Sequence, residues 1–333
     1  LKTSLKPYNS FGIEAFANNF TEVVTEIALK KVLDQTEGNV FVLGGGSNIL
    51  LIDDVQIPTI KVGLKGIEIV EDSPESVLVK AMAGENWHDF VLFCIKKNWG
   101  GIENLSLIPG SVGAAPMQNI GAYGVEIKNV FHSLEAIELS SGLLKTFYLD
   151  ECLFGYRYSI FKDSLKDKCC ITSVTFKLSK KPELHLEYGA IKETLERMQI
   201  KNPTIKDISD AVIAIRKSKL PDPAVLGNAG SFFKNPVVSN DLLEEIMSVY
   251  PSIPSYSVDA DSSKIPAGWL IEQCGWKGKK IGNTGCHKDQ ALVIVNYGDA
   301  TGREIWNFAQ KVKQSVLNKF GVEISPEVNV IGL

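Results

Sequence analysis

Apolar positions along the chain gather in short runs rather than long stripes. Val40, Phe41, Val42 and Leu43 form one run, which enters Gly44, Gly45, Gly46, Ser47 and Asn48 and is followed by a second run over 49–52. Runs of this length around a glycine cluster predict two strands flanking a tight turn. Upstream, Thr25 stands before Leu29, Val32 and Leu33 on one helical face, and Glu37, Gly38 and Asn39 end that helix. Downstream, β-rich runs at 59–62, 67–70 and 77–80 lead to Trp87, Phe90, Val91, Cys94 and Ile95 at helical spacing, stopped by Gly100 and Gly101. The runs 134–139 and 143–149, joined by Ser140, Ser141 and Gly142, predict a hairpin, and 171–178 another strand. Ile208, Ala211, Val212 and Ile215 share a face of a helix with a basic end, Arg216, Lys217 and Lys219, and Pro221, Asp222 and Pro223 then mark a domain boundary. Beyond lie a helix capped by Asn240, a strand at 291–295, and a last helix opened by the Thr301 and Glu304 capping box and closed by Gly321. No internal repeat is visible, and the class is α+β.

Composition changes this picture little. The 333 residues are 44% apolar and 22% charged, a balance that predicts folded domains rather than disorder. Thirty-five basic against 39 acidic side chains leave a net charge of -4 with no single-sign block, so nucleic acid is not an expected partner. The six cysteines include no Cys-x-x-Cys pair and read as reduced packing thiols, and no metal is expected. Residues 1–20 carry no signal-like apolar core, so a cytoplasmic location is expected, and Leu1 reads as a trimmed start. The uncharged run between Glu103 and Glu126 could span a bilayer by length, but its prolines and glycines forbid a helix there and no membrane insertion is expected.

That run is the first pointer to chemistry. Among 28 glycines only Gly44 and Gly46 stand two apart and position 49 is Ile, so the Rossmann fingerprint is absent. The one Gly-Lys dipeptide, Gly278-Lys279, lacks the upstream glycine of a Walker loop. Two glycine-rich stretches remain, 44–48 and 110–124, whose backbone N–H groups could cup a diphosphate without basic side chains. Ser231 sits among small residues over 227–236, without the Gly-x-Ser-x-Gly elbow of a hydrolase, and none of the four histidines stands in a triad context. Taken alone, Ser231 is a turn hydroxyl and Arg157 and Glu327 are surface charges.

Together these segments resemble the UDP-N-acetylenolpyruvoylglucosamine reductase family, in that family's order and over nearly the whole chain. The resemblance rests on Gly44 to Asn48, on Ile108-Pro109-Gly110-Ser111-Val112-Gly113-Ala114-Ala115-Pro116, on Gln118-Asn119-Ile120-Gly121-Ala122-Tyr123-Gly124 and on Tyr156-Arg157. It continues through Ser218-Lys219-Leu220-Pro221, Gly230-Ser231-Phe232-Phe233-Lys234-Asn235-Pro236, Ala267-Gly268-Trp269 and Pro326-Glu327-Val328. Tyr188-Gly189 and the long 218–318 stretch are similar to the longer, type I form.

The resemblance implies an FAD-binding fold of the vanillyl-alcohol-oxidase-like type with a separate substrate-binding α+β domain. It divides the chain into 1–64 and 65–217 for FAD, 218–318 for the nucleotide sugar, and a segment 319–333 that returns to the active site. It implies non-covalent FAD, held by Gly44, Gly45, Gly46, Ser47, Asn48, Gly110, Ser111, Val112, Gly113, Ala114, Gln118, Asn119, Gly121, Tyr123 and Gly124, with NADPH as hydride donor. The implied substrate is UDP-N-acetylglucosamine enolpyruvate, the implied product UDP-N-acetylmuramate, a peptidoglycan precursor. Arg157 and Glu327 are the implied stabilisers of an enolate, with Glu327 needing a proton or a hydrogen bond to help rather than repel, and Ser231 the proton donor. Tyr188, Lys219, Asn235, Tyr256, Lys264 and Gln290 are the implied substrate or nicotinamide contacts. One departure is Asn329, where many members carry a basic residue, and Lys277, Lys279 and Lys280 are expected to face water. Two alternatives stay open at this point: a flavin-dependent sugar or alcohol oxidase of the same fold, and a non-catalytic flavin or nucleotide-sugar binding protein.

Overall fold

The computed structural model describes residues 2–332, so Leu1, read as a trimmed start, lies outside them. Two compact units share the chain: one is built from 17–46 and 56–218, the other from 4–16, 47–55 and 219–333.

In the first unit a parallel sheet places Thr59–Val62 between Phe20–Val23 and Phe41–Leu43. Helix α1 (Glu26–Asp34) opens on Thr25, whose hydroxyl accepts from Ala28 N–H, and buries Leu29 and Leu33 with Val23, Ile60 and Val62. Next comes a five-stranded antiparallel sheet ordered Leu144–Tyr148, Phe131–Glu138, Cys169–Ser179, Ser76–Met82 and Ile67–Asp72. Ser76–Met82 alternates buried and half-buried positions, as a strand with one face in a core must. Helix α2 (Trp87–Lys96) buries Trp87, Phe90, Val91 and Cys94 in that core, and Trp87 Nε1 satisfies itself on the Leu105 carbonyl at 2.9 Å. The helix ends a turn before Gly100, with Asn98 at φ +60°, so asparagine rather than the two glycines supplies the left-handed stop. Helices α3 (Gly189–Arg197) and α4 (Ile205–Lys219) share a small core of Ile191, Leu195, Ile208, Val212 and Ile215.

The second unit holds an antiparallel sheet ordered Gly227–Ser231, Val293–Asn296, Thr284–Cys286 and Lys280–Ile281, and a smaller one in which Ser262–Lys264 lies between Val237–Ser239 and Tyr256–Ser257. Ile49–Leu51 pairs in parallel with Asn329–Ile331. The two runs that flank the glycine turn are therefore strands, but each joins a different sheet. Helix α5 (Asn240–Val249) is capped by Ser239, whose hydroxyl accepts from Leu242 N–H, one residue before the expected Asn240. Helix α6 is Ala267–Gln273, and α7 (Gly302–Phe320) has the expected capping box and a left-handed Gly321 stop. No described helix is long and apolar enough to cross a membrane. All six cysteines are free thiols, and burial pushes those of Cys152, Cys170 and Cys286 up to about 12.

Candidate active site

In the first unit the two glycine stretches lie against each other. A Cβ on Gly45 would stand 2.7 Å from Gly110 Cα and 2.9 Å from Ser111 N, and one on Gly113 would stand 2.5 Å from Ala83 Cβ. Real Cβ atoms do not approach so closely, so these glycines make room for the protein's own backbone, where the sequence suggests room for a ligand. The second stretch also keeps fewer free donors than its composition suggests. Val112, Gly113 and Ala114 give their N–H groups to the carbonyls of Glu85, Ala83 and Ser111.

What remains open is concentrated at the turn. Among the described residues the N–H groups of Gly44, Gly45 and Gly46 meet no protein acceptor. Ser111 Oγ is buried with no hydrogen-bond partner and lies 3.1 Å from the position a Gly44 Cβ would take. Buried polar atoms in folded proteins are nearly always satisfied, so these orphans call for a polar ligand. Consecutive main-chain donors are a nest for an anion, and they fit the diphosphate of FAD without any basic side chain.

The neighbouring residues are committed to the protein. Asn119, fully buried at φ +45°, donates to Glu126 Oε2 at 2.9 Å and to the Gly155 carbonyl at 3.1 Å, and its Oδ1 accepts from Lys128 N–H at 3.1 Å. Its role is to tie the glycine-rich segment to the turn that carries Arg157. Gln118 Oε1 accepts from Lys162 Nζ at 2.9 Å. Gly121 and Gly124 belong to a small hairpin in which Gly121–Ala122 pairs Val125–Glu126, with Gly124 at φ +82°.

Arg157 is presented by strain. Gly155 and Tyr158 exchange both backbone hydrogen bonds, at 3.1 and 3.2 Å, leaving Tyr156 and Arg157 as a two-residue loop. Arg157 takes φ +53°, a position where glycine or asparagine is usual and which costs another residue roughly 1 to 3 kcal/mol. Its Nε is buried without a hydrogen-bond partner. Arg157→Gly is therefore expected to leave the melting temperature unchanged or higher while activity falls at least about a hundredfold, the loss expected for removing a fixed charge from a reacting group. Calorimetry and initial rates on one preparation check this. A drop in stability as large as the drop in rate would contradict it.

Tyr123, at φ +51°, stacks edge-on against Tyr188 with ring centroids 5.3 Å apart, and its phenol meets the Arg216 guanidinium. Burial pushes the Tyr123 phenol up, against the pull of Arg216. The sequence reading passed over Arg216, whose only visible mark was a place in a basic helix end.

In the second unit Ser231 closes the strand Gly227–Ser231 after a bulge, with Gly230 at φ +70°. Asn228, which sequence reasoning missed, builds that bulge. It is 2% exposed, donates to the Pro221 and Leu226 carbonyls at 3.1 and 2.8 Å, and accepts from Gly230 N–H at 2.9 Å. Among the described residues the Ser231 hydroxyl makes no hydrogen bond to the protein, so it is not a hydroxyl that closes a turn. Glu327 is 8% exposed, and its N–H donates to the Phe232 carbonyl at 2.8 Å, which places it one residue from Ser231 across a backbone bridge. Asn48 Nδ2 donates to the Glu327 carbonyl at 3.4 Å, and Asn329 donates to the Asn48 carbonyl from both its backbone (3.0 Å) and its side chain (3.1 Å). Asn329 thus uses its amide to fasten the end of the glycine turn, where a basic residue was the comparison.

Tyr256 and Lys264 are direct partners in the small sheet. Asn235 Oδ1 accepts from Ala267 N–H at 2.9 Å, Gln290 lies beside Gly268, and Lys219 is exposed at the end of α4. Lys277 pairs with Glu272, and Lys279 and Lys280 lie over the rings of Trp276 and Tyr297, so these three are tied locally at the surface.

A unit with this glycine nest, followed by an α+β unit presenting an unengaged serine and a buried glutamate, defines a two-domain FAD-binding protein. The family models agree: residues 23–147 match an FAD binding domain, and residues 222–331 match the UDP-N-acetylenolpyruvoylglucosamine reductase, C-terminal domain. The reductase of that name from Flavobacterium johnsoniae is 52% identical over 98% of both chains, and that from Pseudomonas savastanoi is 48% identical over 98% of this chain and 97% of its own. The crystal structure of the reductase from Thermus caldophilus shares the fold at a TM-score of 0.70 and 22% identity, covering 99% of this chain and 98% of its own. The chain belongs to the UDP-N-acetylenolpyruvoylglucosamine reductase family, in its type I form.

Proposed function

We propose that this protein reduces the enolpyruvyl group of UDP-N-acetylglucosamine enolpyruvate to give UDP-N-acetylmuramate, a bacterial cytoplasmic step toward peptidoglycan, with NADPH as the electron source. The observation that carries the reading is Ser231: a hydroxyl held at a designed bulge, one bridge from a buried carboxyl, with no structural task of its own. FAD, when bound at the nest of Gly44, Gly45 and Gly46 with Ser111, supplies hydride transfer from NADPH to the vinyl carbon.

The chain's own residues do the rest. Hydride arriving at the terminal carbon drives negative charge onto the conjugated carboxylate, so that group must be held by fixed charge and hydrogen bonds. Arg157 supplies the charge, on a backbone already locked in the strained geometry, and Glu327 in its protonated form supplies a hydrogen bond. Ser231 then delivers a proton to the remaining carbon. Tyr188, Lys219, Asn235, Tyr256, Lys264 and Gln290 bind the nucleotide sugar or the nicotinamide, the lysines as point charges on phosphate. In functional terms 1–64 and 65–217 hold FAD, 218–318 takes the sugar nucleotide, and 319–333 contributes Glu327.

Incubation of the flavin-loaded protein with NADPH and the enolpyruvyl sugar should yield a UDP-sugar heavier by two hydrogens, read by mass spectrometry. NADPH consumption without that product would overturn the assignment. Lys219→Ala should raise the apparent dissociation constant of substrate or NADPH about 10-fold or more, with the reoxidation step nearly unchanged at saturation. Rapid mixing of each half-reaction checks this, and unchanged affinity for both ligands would refute it.

A further inference from the structure

Arg216 is the one strongly buried cation that the reading above leaves without a task. Its guanidinium lies on α4, and no carboxylate pairs with it among the described residues. Burying a guanidinium is costly unless something anionic compensates. Here the immediate partners are neutral: Nε donates to the Leu107 carbonyl at 3.2 Å, and the Tyr123 phenol meets the fork. Burial lowers its pKa, Tyr123 opposes that, and Arg157 adds like-charge repulsion, so two guanidiniums face one another's field in the same unit. Two arginines held within each other's field, one strained and both short of partners for their nitrogens, are the arrangement that bidentate oxyanion recognition needs.

The support behind Arg216 is specific. Leu107 adopts φ +58°, costly for a branched apolar residue, and is pinned from both sides. Its N–H donates to His88 Nδ1 at 2.9 Å, and its carbonyl receives Arg216 Nε. A ring nitrogen that accepts must be unprotonated, so His88 is neutral with its proton on Nε2. From the other side Asn104 donates to the carbonyls of Tyr123 (3.0 Å) and His185 (3.1 Å), fixing the loops that bring Tyr123 against Tyr188.

We infer that Arg216 is a second oxyanion-reading guanidinium of this site, beside Arg157, and that His88 is the residue that positions it through Leu107. The ligand chemistry is a carboxylate or phosphate oxygen pair, and the inference rests on the substrate reading above only for which molecule carries it.

The groups facing His88 set its titration. Burial lowers its pKa most, Arg216 and Lys217 on α4 lower it further, and Asp89 on α2 opposes them. The neutral form is therefore the folded protein's form, and the support is lost only as pH falls through a value below the ordinary imidazole range. His88→Ala should raise KM about 10-fold with kcat little changed. His88→Asn, whose Oδ1 can accept from Leu107 N–H but cannot titrate, should restore KM to within about threefold and abolish the acid-side rise in KM. In wild type, ¹⁵N spectra should show the Nε2–H tautomer.

Binding to the holoprotein, followed by calorimetry with flavin content matched, tests Arg216 directly. Arg216→Gln should lose about 10- to 100-fold in affinity for an oxyanion ligand, and Arg216→Lys should recover part of it and serves where the glutamine variant fails to fold. Loss confined to the enolpyruvyl sugar identifies the carboxylate. Loss shared with UDP-N-acetylglucosamine identifies the diphosphate, and loss with NADPH but not NADH the 2′-phosphate. Wild-type affinity for all of these, or an acid limb unchanged in His88→Asn, overturns the inference. Should wild type bind neither UDP ligand, the substrate reading falls alone, because inorganic pyrophosphate as probe still separates wild type from Arg216→Gln.

Discussion

Ser231→Ala is expected to leave flavin reduction by NADPH near its wild-type rate and to slow the half-reaction that consumes the enolpyruvyl sugar by about 10²- to 10⁴-fold. That span corresponds to roughly 3 to 5 kcal/mol on the second barrier alone. The two steps part because only the second needs a proton at carbon. The structure sharpens the expectation: Ser231 makes no hydrogen bond to the protein among the described residues, and the bulge is held by Asn228, so deleting the hydroxyl removes no structural bond. Ser231→Cys, which keeps a transferable proton, should lose less. Stopped-flow absorbance on one preparation of known flavin content decides it. Equal slowing of both steps would point to a cofactor defect, and an unslowed second step would end the proton-donor assignment.

Gly45→Val is expected to empty the protein of flavin. The added Cβ alone would stand 2.7 Å from Gly110 Cα, and valine's branches reach further, so one glycine stretch must move off the other. Overpacking of this kind costs about 1 to 3 kcal/mol even where side chains can give, and here the obstacle is backbone. The movement would break up the free N–H groups of the turn together with the Ser111 hydroxyl. Flavin-to-protein ratio after purification should fall below a tenth of wild type, while circular dichroism shows retained secondary structure. Gly124→Ala is the control, because a Cβ there meets nothing within 4 Å even though φ is +82°. Full occupancy in the valine variant would count against this placement of the cradle.

Local rules made much of the fold legible. Thr25, the Thr301 and Glu304 capping box, Gly321 and the 143–149 hairpin run act through neighbours in sequence, and the structure has each of them. Pairing was not legible in the same way. The runs on either side of the glycine turn look like partners, yet one joins Thr59–Val62 and the other meets Asn329–Ile331 from the far end of the chain. Nothing in a short apolar run names its sheet neighbour.

For the site, residue types pointed to chemistry where composition was unusual. Sequence singled out the glycine stretches, but assigned their missing side chains to ligand access, whereas Gly45 and Gly113 are needed for backbone packing. Asn228, Asn104, His88 and Arg216 escaped notice because their work is done across the fold, on carbonyls and N–H groups whose positions no spacing rule gives.

The most direct measurement is the visible spectrum of the purified protein under anaerobic conditions, taken in three states. The account predicts a yellow protein whose flavin is released intact on denaturation, is bleached by NADPH, and regains colour when the enolpyruvyl sugar is added without oxygen. A colourless protein refilled by no flavin, or a reduced flavin that only oxygen and not the sugar can reoxidise, would contradict it.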